Sequence, residues 1–176
     1  MAPVTATRQQ RFEAIAAEVA HPVLRYALRR TDAQMAEDVL AETLLVVWRR
    51  LDDVPQGGEL PWCYAVARNQ LANAERSARR QRNLVARIAR LDRPTPPPAA
   101  PDPAVHDALG QLRPDDRELL RLWAWEDLAP AQLAEVLGTS VNAVNIRLHR
   151  ARTRLGDILR KGRDSTGHID EEGRER

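Results

Sequence analysis

Cysteine occurs once in the 176 residues, at Cys63, so no internal disulfide can close and no cysteine cluster can hold zinc. The four histidines are scattered at His21, His106, His149 and His168, and no metal site is expected from them. No stretch approaches the ~18 consecutive apolar residues of a membrane span, and MAPVTATRQQRF lacks the apolar run of a secretory signal. Membrane insertion is therefore not expected, and the expected location is the cytoplasm. Aromatics make up only 4% of the chain and glycine only 8 residues, so small helix-forming residues must fill the core. Lysine is nearly missing too. Of the 27 basic residues all but Lys161 are arginine, the side chain suited to bidentate contacts with phosphate and guanine.

The net charge of +2 hides opposed blocks. Residues 8–60 carry −2, 61–93 carry +6, 102–137 carry −5, 138–163 carry +6 and 164–176 carry −3. Two separate basic stretches point to two anionic contacts. Between them PTPPPAAPDP, residues 94–103, holds half of the 12 prolines and excludes helix and central strand. In polyproline II geometry, at roughly 3 Å per residue, such a linker spans about 30 Å. The charged tail and the first residues carry too little apolar surface to order themselves.

Strand patterning is absent, and Ala, Leu, Arg and Glu dominate, so the expected class is all-α: two small helical domains joined by a flexible Pro-rich linker. Phe12 to Arg30 reads as one helix or a pair, with Pro22 at a first turn or a kink. Thr31 and Asp32 mark the next start, and Met35, Val39, Leu40, Leu44, Val47, Trp48 and Leu51 keep helical spacing from Ala33 to Leu51. VPQGG breaks the chain, and Pro61 at a first-turn position opens a helix through about Leu91. Beyond the linker, Pro114 with Asp115 and Asp116 starts one helix, Pro130 another that ends at Gly138, and Ser140 caps a final helix to about Leu159 or Lys161.

PAQLAEVLGTSVNAVNIRLH, residues 130–149, has the spacing of a DNA-reading helix-turn-helix. Ala134 is small where two helices cross, and Gly138 accepts the positive φ of the turn. Val144, Leu148, Ala151 and Leu155 mark a buried face. At 100° per residue Asn142, Ile146 and His149 lie opposite Val144, with Asn145 and Arg152 on one flank and Arg150 on the other. Asparagine pairs bidentately with adenine and isoleucine touches a thymine methyl, while Arg147, Arg150, Arg152 and Arg154 suit phosphates. The other basic segment is built differently. Trp62, Val66, Asn69, Asn73, Arg76 and Arg80 share one helical stripe, an aromatic-to-amide-to-arginine order suited to unpaired DNA. Asp38 and Glu42 stand one turn apart beside a wide apolar stripe, a surface fit to dock a basic partner helix.

An acidic AEDVLAETLLVVW helix, a glycine-containing loop, PWCYAVARNQLAN ending in arginine, a linker, then LRPDDRELLRLW and LAEVLGTSVNAVNIRLHRARTRL together resemble the extracytoplasmic-function (group four) sigma factors of bacterial RNA polymerase, over about residues 10–160. The resemblance implies a region 2 bundle over 10–92, a linker over 93–104 and a region 4 helix-turn-helix over 105–161, flanked by a disordered N-terminus, 1–9, and a disordered tail, 162–176. It implies core RNA polymerase as partner, through the clamp helices and the β flap, and promoter DNA as ligand. An anti-sigma factor, which holds many relatives, is a further expected partner. Carried over by position, Asp38, Glu42, Trp48 and Arg49 fall on the clamp-binding helix. Gln56, Gly57, Gly58 and Glu59 fall in the loop that resembles the pocket for a flipped base, and Asn69, Asn73, Arg76, Arg79 and Arg80 on the minus-ten surface. Ser140, Asn142, Asn145, Arg147 and Arg150 match the recognition-helix positions for the minus-thirty-five element, beside Ile146, His149 and Arg152 from the helical projection.

Two positions depart from the family pattern. Ala41 stands where glutamine is usual, and Asn145 replaces a usual lysine or arginine, which implies a different promoter preference. Cys63 sits at a core-like position, which argues against redox sensing. The competing reading is a conventional helix-turn-helix regulator that binds operator DNA as a dimer. An enzyme is disfavoured: the acids are not clustered, no glycine loop cradles phosphate and no nucleophile has a base placed beside it. No catalytic residue, metal or cofactor is therefore expected.

Overall fold

The computed structural model describes residues 7–86 and 103–167, with side chains over 7–77 and 104–162. The chain divides into two compact units, 1–98 and 99–176, and the division falls in the proline-rich stretch. All described regular structure is helical. The linker expected at 93–104 lies outside the described residues up to 102.

The first unit packs three helices, α1 (Arg8–Leu28), α2 (Ala33–Arg49) and α3 (Glu59–Ala86), each against the other two. Thr7 opens α1 with a capping box: its hydroxyl accepts from the Gln10 amide at 3.2 Å and its own amide donates to Gln10 Oε1 at 2.8 Å. Residues Thr7 to Gln9 of the N-terminus expected to be disordered are thus part of the start of α1, and residues 1–6 lie outside the described residues. A second tie adds to the cap, because Arg8 donates to the Trp48 carbonyl at 2.7 Å and meets Asp52 at 3.2 Å. A cation there suits the C-terminal end of α2.

Pro22 lies inside an unbroken α1, so of the two readings, one helix or a pair, the single helix holds. Its neighbours Val19 and Val23 are fully buried, so packing on both sides of the proline holds the turn together despite the missing N–H. Asp32 caps α2 by accepting from the Met35 amide at 2.9 Å. That helix stops at Arg49, and a single 3-10 turn, Leu51–Asp53, follows in place of the expected continuation to Leu51. Buried Leu51 and Val54 anchor the turn, and Arg11 donates to the Val54 carbonyl at 2.8 Å. Pro61 is the third residue of α3, in its first turn as expected, where its missing N–H falls among the amides that no helix satisfies internally. The core comes from Ile15, Val19, Val23 and Tyr26 of α1, Val39 and Val47 of α2, and Cys63, Tyr64, Ala67 and Leu71 of α3. The Tyr26 and Tyr64 rings meet at 5.2 Å. Buried Thr43 returns its hydroxyl to the Val39 carbonyl at 2.7 Å and leaves no unmet donor.

The second unit contains α4 (Pro103–Gly110), α5 (Pro114–Trp125), α6 (Pro130–Leu137) and α7 (Val141–Gly167). Helix α4 starts at Pro103, so the linker expected to 104 is already helical at its end; proline fits a first turn. Arg117 of α5 donates to the carbonyls of Leu109 at 2.8 Å, Gly110 at 2.7 Å and Leu112 at 3.2 Å, which ties α5 to the end of α4 and the turn after it. Helix α7 continues to Gly167, past the expected disordered start at 162. A helix already nucleated and packed adds each further residue at little cost. Residues 168–176 lie outside the described residues.

Gly138 holds φ +62° in the turn between α6 and α7. A Cβ built there meets nothing within 4 Å, so the cost of a side chain is backbone strain alone. Gly138→Ala is expected to destabilise the second unit by about 1–2 kcal/mol. Its thermal midpoint is expected to fall by at least about 4 °C for a unit of this size. A melt unchanged within a degree would mean that the turn does not need the left-handed conformation.

Candidate functional site

Helix α2 turns Asp38, Glu42, Trp48 and Arg49 to solvent, while Ala36, Val39, Thr43 and Val47 face the core. Leu45 at 44% and Trp48 at 42% exposure make this face partly apolar. Trp48 is braced from behind: the Phe12 ring meets it edge-on at 5.2 Å and the Arg8 guanidinium lies 5.4 Å from its centroid. Gln34 donates to Asp38 at 3.4 Å. Asp38 and Glu42 also line one side of a groove of about 390 Å³, opposite Gln70, Asn73 and Arg76 of α3. The acidic pair and the lower half of the amide-arginine stripe, read from the sequence as two surfaces, therefore share one groove.

The loop before α3 exposes Gln56 and Gly57, with Gly58 half-buried. Gly57 has φ +76°, open only to glycine at low cost, and a Cβ on Gly58 would press on Pro55 Cγ at 3.2 Å. Gly57 is thus required by the backbone of the loop itself, and Gly58 by its close contact with the Pro55 ring. Asn69 is exposed three turns further along α3, about 16 Å from Gly58 along the axis. Asn73 and Arg76 are exposed and hydrogen-bonded to each other. Trp62, the expected head of the stripe, is half-buried, and the Arg50 guanidinium lies 5.7 Å from its ring centroid. It is more a packing residue than a free stacking platform. The side chains of Arg79 and Arg80 lie outside the described residues.

Cys63 is fully buried, and burial, with Glu18 and Glu59 adding repulsion, pushes its thiol up to about 12. The folded state holds this proton more tightly than the unfolded chain, so the thiol stays neutral well above pH 9, where an unfolded cysteine ionises. Iodoacetamide at about pH 8 is expected to leave the folded protein unmodified and to label it once urea unfolds it. Labelling of the folded chain at the unfolded rate would show an open thiol.

In the second unit, α6 and α7 form the helix-turn-helix. Ser140 Oγ accepts from the Ala143 amide at 3.2 Å and caps α7. Val144, Leu148 and Ala151 are buried against α5 and α6, and Asn142, Asn145, Ile146, His149 and Arg150 face solvent, Ile146 at 44% exposure. The projected polar face is the exposed one. The arginines divide otherwise than expected. Arg147 lies 3.7 Å from Asp116 and 3.9 Å from Asp115, and Arg154 lies 3.3 Å from Asp116. Arg152 covers the Trp123 ring at 4.7 Å. Three of the four arginines read as phosphate contacts thus have partners inside the unit.

An apolar groove of about 360 Å³ is the feature missed from the sequence; Val105, Leu109, Leu120, Trp123, Leu155 and Leu159 line it. Leu155 and Leu159 do extend the apolar spacing of α7 past the helix-turn-helix, and that is the signal that could have revealed it. Among the described residues no three His, Cys, Asp or Glu side chains gather to hold a metal ion, and no helix is long and apolar enough to cross a membrane.

A family model described as Sigma-70, region 4 matches residues 103–155, from the start of α4 to Leu155 in α7. The chain is 36% identical over 138 residues to the ECF RNA polymerase sigma factor SigL of Mycobacterium tuberculosis, covering 72% of this chain and 76% of that protein. It is 35% identical over 161 residues to the RNA polymerase sigma factor CarQ of Myxococcus xanthus, covering 86% and 90%. Its fold resembles the sigma factor RpoE of Bartonella quintana, solved with the anti-sigma factor NepR, at a TM-score of 0.64 and 22% identity over 85% of this chain and 96% of that one.

Proposed function

The chain belongs to the extracytoplasmic-function sigma factors of RNA polymerase, and from that premise we propose how its two units divide the work. It directs bacterial core polymerase to promoters and initiates DNA melting. In the proposed division residues 10–92 bind core polymerase and the minus-ten element, 93–104 tether, and 105–161 read the minus-thirty-five element. Asp38, Glu42, Trp48 and Arg49 meet the clamp helices. The loop of Gln56, Gly57 and Gly58 starts a track for the melted strand that continues along α3 through Asn69, Asn73, Arg76, Arg79 and Arg80. Asn142, Asn145 and Ile146 face base edges in the major groove, with Ser140, His149 and Arg150 beside the backbone. The apolar groove under Trp123 takes the β flap. The covalent chemistry belongs to the polymerase, in keeping with sigma factors as non-enzymatic regulators of initiation. The place of action is the cytoplasm, where the polymerase works, and an anti-sigma factor is the expected inhibitor.

The observation that carries this reading is the polarity of α7. Its inner face is fully buried at Val144, while its outer face leaves Asn142, Asn145 and Ile146 exposed. An exposed isoleucine between two exposed amides matches what a major groove offers, methyl groups and amide-matching base edges together. Run-off transcription by core polymerase, with and without the chain, on fragmented genomic DNA tests it. New start sites preceded by two spaced elements are the expected result. Binding to palindromic duplex as a dimer, with no start sites and no affinity for core, would replace the reading by a conventional regulator.

A further inference from the structure

Asp116 is the most shielded acid of the α5 first turn, 16% exposed against 76% for Asp115, and two arginines of α7 converge on it. Arg147 and Arg154 are seven residues apart, so two helical turns bring them to the same side of α7, about 20° from one another in projection. Buried Ala151 lies between them in the contact with α5. Neither side chain is fully free: Arg147 keeps 37% of its surface exposed and Arg154 53%. Both sit on the flank of the helix whose outer face carries Asn142, Asn145 and Ile146.

From this arrangement we infer that Asp116 is a positioning residue that holds Arg147 and Arg154 against α5 and off the DNA backbone. The inference rests on α7 being the DNA-reading helix. Its consequence concerns selectivity. Phosphate contacts add affinity for every sequence alike, whereas the exposed amide and isoleucine face adds affinity only for matching bases. An acid that withdraws two arginines therefore lowers the grip on random DNA and leaves the sequence-dependent part untouched. Asp115, exposed and at the longer distance, adds charge there but little restraint.

The test is the salt dependence of binding of the full chain to a fluorescent duplex of mixed sequence, followed by anisotropy between about 50 and 200 mM salt. Each arginine freed to reach a phosphate steepens the log–log salt slope by about 0.9. Asp116→Asn is expected to steepen it by about 1 to 2 and to raise affinity about threefold to tenfold at the low-salt end. Asp115→Asn removes the same formal charge and is expected to give less than half that change. Arg147→Ala with Arg154→Ala, in the otherwise unaltered chain, is expected to leave the slope within about 0.3 of the original, and to abolish the gain when added to Asp116→Asn. The double arginine variant also covers the case in which Asp116→Asn unfolds the unit. Equal slopes for the two aspartate variants, or a slope shallower by about 2 in the double arginine variant, would overturn the inference. A chain that bound no duplex in any form would overturn the DNA-reading assignment of α7, and the inference with it.

Discussion

Alanine at both Asp38 and Glu42 is expected to weaken assembly with core polymerase by about 100-fold. Each carboxylate is exposed and projects from the face of α2 that also bears Leu45 and Trp48. Charge-assisted hydrogen bonds contribute about 1.5–3 kcal/mol each, so losing two costs at least about 3 kcal/mol, or two decades of affinity. Stability is not the cause, because exposed substitutions away from caps and networks stay within about 0.5 kcal/mol. Equilibrium binding of a labelled chain to core polymerase, with Glu37→Ala as the control from the same helix, checks the expectation. A loss under about threefold would take the pair out of the interface. The groove shared with Asn73 and Arg76 adds a second consequence: the double variant also removes the acids facing that part of the DNA track.

Alanine at Asn69 is expected to do the reverse. Affinity for core polymerase holds, and open-complex formation falls about 10- to 100-fold, the range set by one amide paired with a base edge at about 1–3 kcal/mol. Asn69 is exposed on α3 and does not line the groove that holds Asp38 and Glu42, so the two steps separate by residue. Permanganate reactivity of the melted strand, measured beside core binding on the same preparation, distinguishes them. Equal losses in both steps would mean that Asn69 supports the fold or the assembly rather than the extruded base, whose unstacking itself costs a few kcal/mol.

Features set by neighbours in sequence were legible before any coordinates. Asp32, Pro114, Pro130 and Ser140 mark helix starts through chemistry that acts within three or four residues, and Gly138 marks its turn through its own φ. Val144, Leu148 and Ala151 announce a buried face because helical spacing is itself local. What periodicity does not carry is the choice of partner across the fold. Arg147 and Arg154 sit on the flank between the buried and the outer face, where projection gives no preference for solvent or for α5; Asp116, distant in sequence, decides it. Arg117 is similar: its three carbonyl partners on the α4 side are visible only once the helices are packed. Pro22 left one helix or two open for the same reason, since local propensity speaks against helix and only the buried valines on either side decide for one.

The bracing of Trp48 by Arg8 and Phe12 ties the docking face of α2 to a different helix. Neither residue lies on the outward face of α2, yet the indole keeps its place because the first two turns of α1 stand behind it. Removal of the first two turns of α1 would leave every proposed contact residue intact and the exposed indole unsupported. Those turns thus belong to the polymerase-binding surface as much as α2 does.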